Sequence, residues 1–197
     1  MSAAADPRTD APAPRVLASA LEAFAEQGYH GTSMRDLAAG AGLSVPGLYH
    51  HYRSKQDVLM ALVLAVMDDL LTRTRAALEA ETRGPVERYD ALVRALLRFH
   101  LERRTEAFVA SSEIRSLDPE NRTRYVALRD EQQQMIADAI AAGVEAGAFD
   151  VPHPEDTARA VATLCVGVAT WYRPAGGLPP DELVERHLVL ARRLVGA

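Results

Sequence analysis

Apolar residues recur every three or four positions along most of the chain, which is the pattern of amphipathic helices. Leu17, Leu21 and Phe24 open the first such stretch, and Gly28 follows as its expected end. Alternating apolar and polar runs joined by Asn-Gly or Asp-Gly turns, the usual signal of β-hairpins, do not occur. The pattern predicts an all-α protein.

Helix starts and stops divide these stretches further. Ser33 to Asp36 has the form of a capping box, and Ser44 is placed to cap another short helix in which Pro46 falls in the first turn. Ser54 begins a second box before a long helix, and Asp118-Pro119 is typical of a helix start. The same signals, with prolines opening the last helices, predict about nine helices in total.

Composition restricts the class of protein. The 197 residues are 48% hydrophobic and 25% charged, which is ordinary for a soluble globular chain. No apolar run approaches the length of a membrane-spanning helix, and the first residues lack the apolar core of a secretory signal. With Cys165 as its single cysteine the chain cannot form an internal disulfide, so we expect a cytoplasmic protein.

The formal net charge of −5 disfavours broad nucleic-acid binding, but the local charge differs. No acidic residue occurs from Leu37 to Gln56, and this stretch ends with two histidines, Arg53 and Lys55, the chain's only lysine. Two short helices joined by a glycine-containing turn, the second opened by a serine, predict a helix-turn-helix in the same place. Local charge decides whether a surface accepts DNA.

The residues of this segment resemble the DNA-binding module of TetR-family transcriptional regulators. The residues that carry the resemblance are Gly28 to Ala38, Ala41 to Ser44, Leu48 to Tyr52 and Ser54-Lys55, within a match of about 45 consecutive residues that has no gap. It implies a homodimer with an N-terminal three-helix reading head and a helical C-terminal domain that binds a small ligand and releases DNA. On this basis we expect a flexible tail at 1–14, a helix-turn-helix domain at 15–57 and a ligand-binding and dimerisation domain at 58–197.

The resemblance also implies roles for single residues in DNA binding. Arg35 matches a position that reaches base edges, as do Val45, Pro46 and His50, while Gly47 offers a backbone N–H. Ser33, Tyr49, His51 and Lys55 match phosphate contacts. Ser44 is also expected among the DNA-binding residues. Leu48 and Tyr52 are expected in the core. Two simpler interpretations stay open: His50-His51 as a solvated pair, and Tyr49 as packing.

The C-terminal part lacks the motifs of hydrolases, phosphate-binding loops and metalloproteases, so we expect no enzyme, no cofactor and no metal site. Candidate ligand contacts are apolar, aromatic or isolated polar residues: Phe99, Phe108, Arg115, Tyr125, Gln132, Leu164 and Trp171. For the aromatic residues, plain core packing is the alternative.

Ser112 to Arg122, Tyr125 to Asp130 and Trp171 to Pro174 resemble the C-terminal domain of TetR members that control fatty-acid or steroid-ring breakdown. That resemblance implies an acyl-CoA effector whose phosphates would meet Arg115, Arg122 and Arg124. The alternative is that these arginines form surface ion pairs with Glu113, Glu120 and Asp130.

The last two helices are apolar on more than one face. The resemblance implies that they pack against their copies in a two-fold dimer. The residues assigned to this contact are Val161, Cys165, Val168, Leu183, His187, Leu190 and Leu194. Two-fold symmetry predicts a palindromic operator of double-stranded DNA. The function expected is a repressor released by a small hydrophobic effector. A drug-sensing regulator of efflux is the main alternative, activation instead of repression stays open, and a helical enzyme or lipid carrier is a remote alternative.

Overall fold

The computed structural model describes residues 12–197, and its regular elements over that range are helices. The α-helices are α1 (Pro12–Gly31), α2 (Met34–Gly40), α3 (Val45–His51), α4 (Lys55–Ala80), α5 (Pro85–Glu102), α6 (Arg104–Ser112), α7 (Pro119–Glu145), α8 (Pro154–Trp171) and α9 (Pro180–Leu194). Single 3-10 turns lie at Glu113–Ser116 and Pro174–Gly176. The predicted all-α fold of about nine helices is confirmed.

Several helix ends form by the predicted chemistry. The Ser33 hydroxyl accepts a hydrogen bond from the backbone N–H of Asp36 while the Asp36 carboxylate accepts from the Ser33 N–H, which completes the capping box of α2. Asp118 caps α7 by accepting from the N–H of Asn121 at 2.9 Å. Helices α5, α8 and α9 each begin with a proline, whose missing N–H has no partner to lose in a first turn.

The N-terminal boundary differs from the expected one. Helix α1 already begins at Pro12, so residues 12–14, which we assigned to a flexible tail, belong to a helix. The rest of that expected tail lies outside the described residues. At its other end α1 is interrupted by Gly28, whose φ of 71° is open to glycine at little cost and stops the regular helix at the predicted place.

The chain forms two compact units. The first takes in the described residues up to Val66 together with Phe108–Tyr125, and the second consists of Met67–Ala107 and Val126–Ala197. Helices α4 and α7 are continuous through these limits, so each contributes residues to both units.

The second unit has a core formed by α5, α8 and α9. Tyr89 is fully buried, and its hydroxyl donates to the backbone carbonyl of Ala191 on α9 at 2.9 Å. The neighbouring Asp90 is also buried and accepts both guanidinium bonds of Arg192. A paired carboxylate can be buried at far lower cost than a free one, so this ion pair fixes α9 on α5.

Candidate nucleic-acid interface

The turn between α2 and α3 has the geometry of a glycine-terminated helix end. Gly42 adopts a φ of 66°, and its N–H donates to the Ala39 carbonyl at 3.1 Å. The following N–H, of Leu43, donates to the Ala38 carbonyl at 2.8 Å. These two bonds form a Schellman motif, which ends α2 and turns the chain into α3.

Ser44 opens α3 as predicted. Its hydroxyl accepts from the backbone N–H of Gly47 at 3.1 Å. The hydroxyl thereby satisfies one of the free N–H groups of the first turn, in which Pro46 is tolerated.

Helices α1 and α2 approach each other closely. The Ser19 hydroxyl on α1 donates to the Leu37 carbonyl of α2 at 3.2 Å. A Cβ at Gly40 would lie 2.2 Å from the Ser19 oxygen, so only glycine fits there without a shift. Leu48 of α3 is fully buried, which confirms it as core, and Tyr52 is half-buried. The three helices therefore form one packed head.

The outward face of α3 carries the residues expected to read DNA. Tyr49 is 49% exposed, and Pro46, His50 and His51 are also exposed. Val45 and Gly47 are half-buried. On α2, Arg35 is exposed. The pKa of the neighbouring Asp36 is lowered, mainly by its hydrogen bond with the Ser33 hydroxyl. The structure thus brings most of the predicted contacts to the surface of one small helical head.

Lys55 has a role that the sequence did not indicate. Its ammonium donates to the Tyr29 carbonyl at 2.5 Å and the Thr32 carbonyl at 2.6 Å, and it lies 4.2 Å from the centre of the Tyr29 ring. Partial burial lowers its pKa. Since an ammonium has three N–H groups, one remains for a phosphate. Lys55 therefore holds the end of α1, and its phosphate contact stays a prediction.

Gln56, the next residue, was missed as a functional candidate. Its amide nitrogen donates to the Tyr29 hydroxyl at 2.9 Å and to the Ser116 carbonyl at 2.5 Å. Its amide oxygen accepts from the N–H of Asp118 at 3.2 Å. Sequence spacing gives no sign of these bonds, because the partners lie 27 to 62 positions away.

The expected ligand contacts fall in both units, and each unit is described alone. In the first, Tyr125 is buried while Phe108 and Arg115 are exposed. In the second, Phe99 and Gln132 are buried, Leu164 is half-buried, and the exposed Trp171 stacks on His187 with ring centres 5.5 Å apart. Phe99, Gln132 and Leu164 are therefore the interior candidates of the second unit.

Two buried polar groups of the second unit were not anticipated. His100 on α5 is only 6% exposed, and its Nδ1 has no hydrogen-bond partner among the described residues. Burial, and secondarily the charge of Arg129, lowers the His100 pKa to about 4, so the ring is neutral at pH 7. The Nε of Arg104 is likewise buried without a described partner. His100 and Arg104 continue the four-residue spacing of the apolar Leu92 and Leu96. Helical periodicity alone therefore did not identify them as candidates.

The arginines at the α6–α7 connection are available to an anion. Arg115, Arg122 and Arg124 are exposed and form no ion pair with any residue in the described part of the chain. The alternative that they pair with Glu113, Glu120 and Asp130 is therefore wrong. The Glu113 carboxylate instead accepts from the Ser116 hydroxyl at 2.8 Å.

The residues assigned to dimerisation divide into two groups. Val161, Cys165, Val168 and Leu183 are buried in the core of the second unit, and burial raises the Cys165 pKa to about 12. His187 is half-buried, whereas Leu190 and Leu194 are 43% and 42% exposed. Only the latter group, with the exposed Trp171 and Val189, remains accessible to a partner.

Within residues 12–197 no cluster of three or more histidine, cysteine or acidic side chains is arranged to hold a metal ion. Over the same residues no helix combines the length and the apolar composition that crossing a membrane requires.

Family models match both parts of this arrangement. Residues 16–62 match the model described as bacterial regulatory proteins of the tetR family, and residues 82–195 match the tetracyclin repressor-like C-terminal domain. The chain belongs to the TetR family. It is therefore a DNA-binding transcriptional regulator, and α2 and α3 lie within the residues that match the N-terminal model.

Two TetR-family relatives match the chain over most of its length. The transcriptional repressor KstR2 of Mycobacterium tuberculosis is 30% identical over 169 residues, which cover 85% of this chain and 84% of KstR2. The crystal structure of a tetR-family regulatory protein from Rhodococcus RHA1 superimposes with a TM-score of 0.87 at 30% identity, covering 93% of this chain and 96% of that one.

AibR, solved in complex with isovaleryl coenzyme A and operator DNA, shares the fold with a TM-score of 0.83. At 23% identity, over 92% of this chain and 98% of AibR, this likeness concerns the fold alone.

Proposed function

We propose that this TetR-family regulator is a repressor that binds a palindromic operator as a homodimer and leaves it when an acyl-CoA thioester binds. The observation that carries the proposal is the outward face of α3, where Pro46, Tyr49, His50 and His51 stand exposed on a helix with no acidic residue. The relative KstR2 is a repressor, which favours repression. A protein that binds the bacterial chromosome works in the cytoplasm.

The proposed base contacts follow from side-chain chemistry. Arg35 is suited to a guanine, which accepts two hydrogen bonds in the major groove, and Val45 and Pro46 are suited to thymine methyl groups. Tyr49, His51 and the third N–H of Lys55 are proposed to contact phosphates, which fix the register of the helix without reading sequence.

Homodimer formation is supported by apolar side chains left exposed on α8 and α9. Leu190 and Leu194 lie one turn apart on α9, and the Trp171 ring is half-exposed at the end of α8. Exposed apolar patches of this kind mark protein interfaces. A two-fold dimer repeats the reading head, so the operator is proposed to be an inverted repeat with half-sites about 34–36 Å apart or a multiple of that.

The acyl-CoA effector is supported by the chemistry of each unit taken separately. The second unit has an apolar interior with isolated polar groups, Gln132 and the neutral His100, which is the usual lining of a site for a small apolar ligand. In the first unit the exposed Arg115, Arg122 and Arg124 are free of described ion pairs and suit phosphate groups.

Thermal unfolding of the purified protein with a panel of CoA thioesters, free CoA and hydrophobic drugs tests the effector. We expect at least one thioester to raise the unfolding temperature by several degrees and to release the operator, because a ligand that binds only the folded state stabilises it. Stabilisation by drugs alone would favour the efflux-type alternative. A matched variant, Arg115→Gln, is expected to weaken the response to thioesters and leave operator binding unchanged.

A further inference from the structure

The side-chain amide of Gln56 joins three separate parts of the first unit. From the second position of α4 it bonds to the Tyr29 hydroxyl near the end of α1, to the Ser116 carbonyl and to the N–H of Asp118, which caps α7. Both N–H groups and the oxygen of the amide are used. Only an amide of this length can donate twice and accept once at these positions.

The end of α1 receives further support from the same side. Lys55 holds the main chain of Tyr29, while Gln56 holds its hydroxyl. The Glu113 carboxylate lies 3.7 Å from the point where a Cβ on Gly28 would sit, so the 3-10 turn lies against the break in α1. The position of α1 therefore depends on the segment 113–118 through several contacts.

Helix α1 supports the other two helices of the helix-turn-helix domain, α2 and α3. Ser19 of α1 bonds to the backbone of α2, and the absence of a side chain at Gly40 lets the two helices approach closely. A shift at the end of α1 is thereby passed to α2 and, through the Schellman turn, to α3. Packed helices of this kind move as bodies, because their contacts are not continuously deformable.

We propose that Gln56 is a positioning residue for operator binding, and that its bonds to Ser116 and Asp118 select the arrangement of α1 to α3 that fits the operator. The turn that Gln56 holds also carries Arg115, so an anionic effector bound by that arginine acts on a segment tied to the reading head. This role of an anionic effector rests on the proposed function. An effector bound there changes operator binding only if it binds one arrangement of the turn more tightly than another.

Variants of Gln56 and Tyr29 test the proposal with an operator duplex selected from random DNA and detected by fluorescence anisotropy. Gln56→Leu removes all three bonds, Gln56→Glu keeps only the acceptor for Asp118, and Tyr29→Phe removes one bond. We expect Gln56→Leu to weaken operator binding about tenfold and Tyr29→Phe about threefold. The double variant is expected to bind no more weakly than Gln56→Leu alone, because the lost bond is shared.

Gln134→Leu is the matched control, since Gln134 is exposed in the second unit and bonds only to Asp138 within its own helix. It is expected to bind the operator as the wild type does. If Gln56→Leu keeps its helical content and binds within about twofold of the wild type, the positioning role is overturned. If that variant does not fold, Tyr29→Phe decides by the same criterion.

Hydrogen exchange provides a readout that a purely structural role would not change. In the wild type, operator binding is expected to slow amide hydrogen exchange across residues 113–118. This includes the N–H of Asp118, which donates to the Gln56 amide oxygen. The slowing is expected to disappear in Gln56→Leu and to persist at Asp118 in Gln56→Glu. Exchange that does not respond to operator in the wild type would overturn the proposal. If exchange responds but no thioester releases DNA, the effector proposal fails and the positioning role stands.

Discussion

Tyr49 on α3 is 49% exposed, so its loss is expected to affect DNA binding without affecting folding. It contributes little to the core, so Tyr49→Ala is expected to leave the unfolding temperature within a degree or two. Loss of a phosphate contact from both heads of a dimer is expected to weaken operator binding at least about tenfold. Anisotropy titration measures the affinity.

Lys55 is a poorer choice for the same test. Its ammonium supports the Tyr29 and Thr32 carbonyls, so Lys55→Ala removes a structural contact together with any phosphate contact. We expect this variant to lose stability as well as affinity, and Tyr49→Ala to lose affinity alone. Equal operator binding by wild type and Tyr49→Ala would place the phosphate contacts elsewhere.

His100 makes stability depend on pH. Its pKa is lowered to about 4 in the folded protein, mainly by burial, while an unfolded histidine titrates near 6.5. Below about pH 6.5 the unfolded chain therefore takes up a proton that the folded chain does not, and stability falls as the pH falls. We expect a loss of about 2 kcal/mol between pH 7 and pH 5 from this residue.

Urea unfolding at fixed protein concentration measures this effect. His100→Leu is expected to remove that part of the pH dependence, whereas His153→Gln, at an exposed site, is expected to retain it. An unchanged profile in His100→Leu would mean that His100 is protonated as readily in the folded protein as in the unfolded chain.

At the scale of the helix, α3 depends on its cap. The seven-residue helix has few internal hydrogen bonds, so the bond from the Gly47 N–H to Ser44 counts for much of its first turn. Ser44→Ala is expected to cost about 1 kcal/mol of unfolding free energy, whereas Ser44→Asn caps equally well and costs little. Chemical denaturation compares the two variants, and equal losses from both would show that the cap does not stabilise α3.

The sequence predicted those elements whose signals are local. Ser33, Ser44, Asp118 and the helix-opening prolines act on neighbouring N–H groups, so their effect could be inferred from spacing of a few residues. The roles of Lys55 and Gln56 could not, because their partners are backbone and hydroxyl groups brought near only by folding. His100 was hidden for a related reason, since a polar residue on an apolar helix stripe looks like an interruption.

Which apolar residues lie in the core and which lie on the surface also depends on folding, and not on local sequence alone. Helical periodicity and the resemblance together predicted seven positions on α8 and α9 for dimer contact, but they could not indicate which helix faces the chain itself covers. Folding buries Val161 and Leu183 and leaves Leu190 and Leu194 exposed. Helical periodicity identifies apolar faces, and only the packed structure shows which of them remain available.

At the scale of the whole molecule, the exposed face of α9 carries the proposed dimer. The double variant Leu190→Asp/Leu194→Asp places two charges per chain in that contact, and two-fold symmetry doubles the effect. We expect the dimer dissociation constant to rise about 100-fold or more. Light scattering across a concentration series measures it.

Val144→Asp is the control for that experiment, because Val144 is an exposed apolar residue on α7, outside the proposed contact. It is expected to leave the association state unchanged. A double variant that remains as dimeric as the wild type would show that chains associate through another surface.

The net charge of the whole chain also affects how the protein binds DNA. A net charge of −5 is expected to limit non-specific DNA binding, while the segment from Leu37 to Gln56, which includes α3, has no acidic residue to repel DNA. Few cations lie in that segment, so operator affinity should rest on base contacts as much as on phosphate neutralisation. We therefore expect this regulator to select its operator by DNA sequence.

Selection of random DNA duplexes by the purified wild-type protein, followed by sequencing of the bound pool, tests that property most directly. We expect enrichment of one inverted repeat, with half-sites separated by about one helical turn or a multiple of it. A bound pool with no enriched sequence, or with a single site lacking the repeat, would show that the protein does not bind a palindromic operator as a dimer.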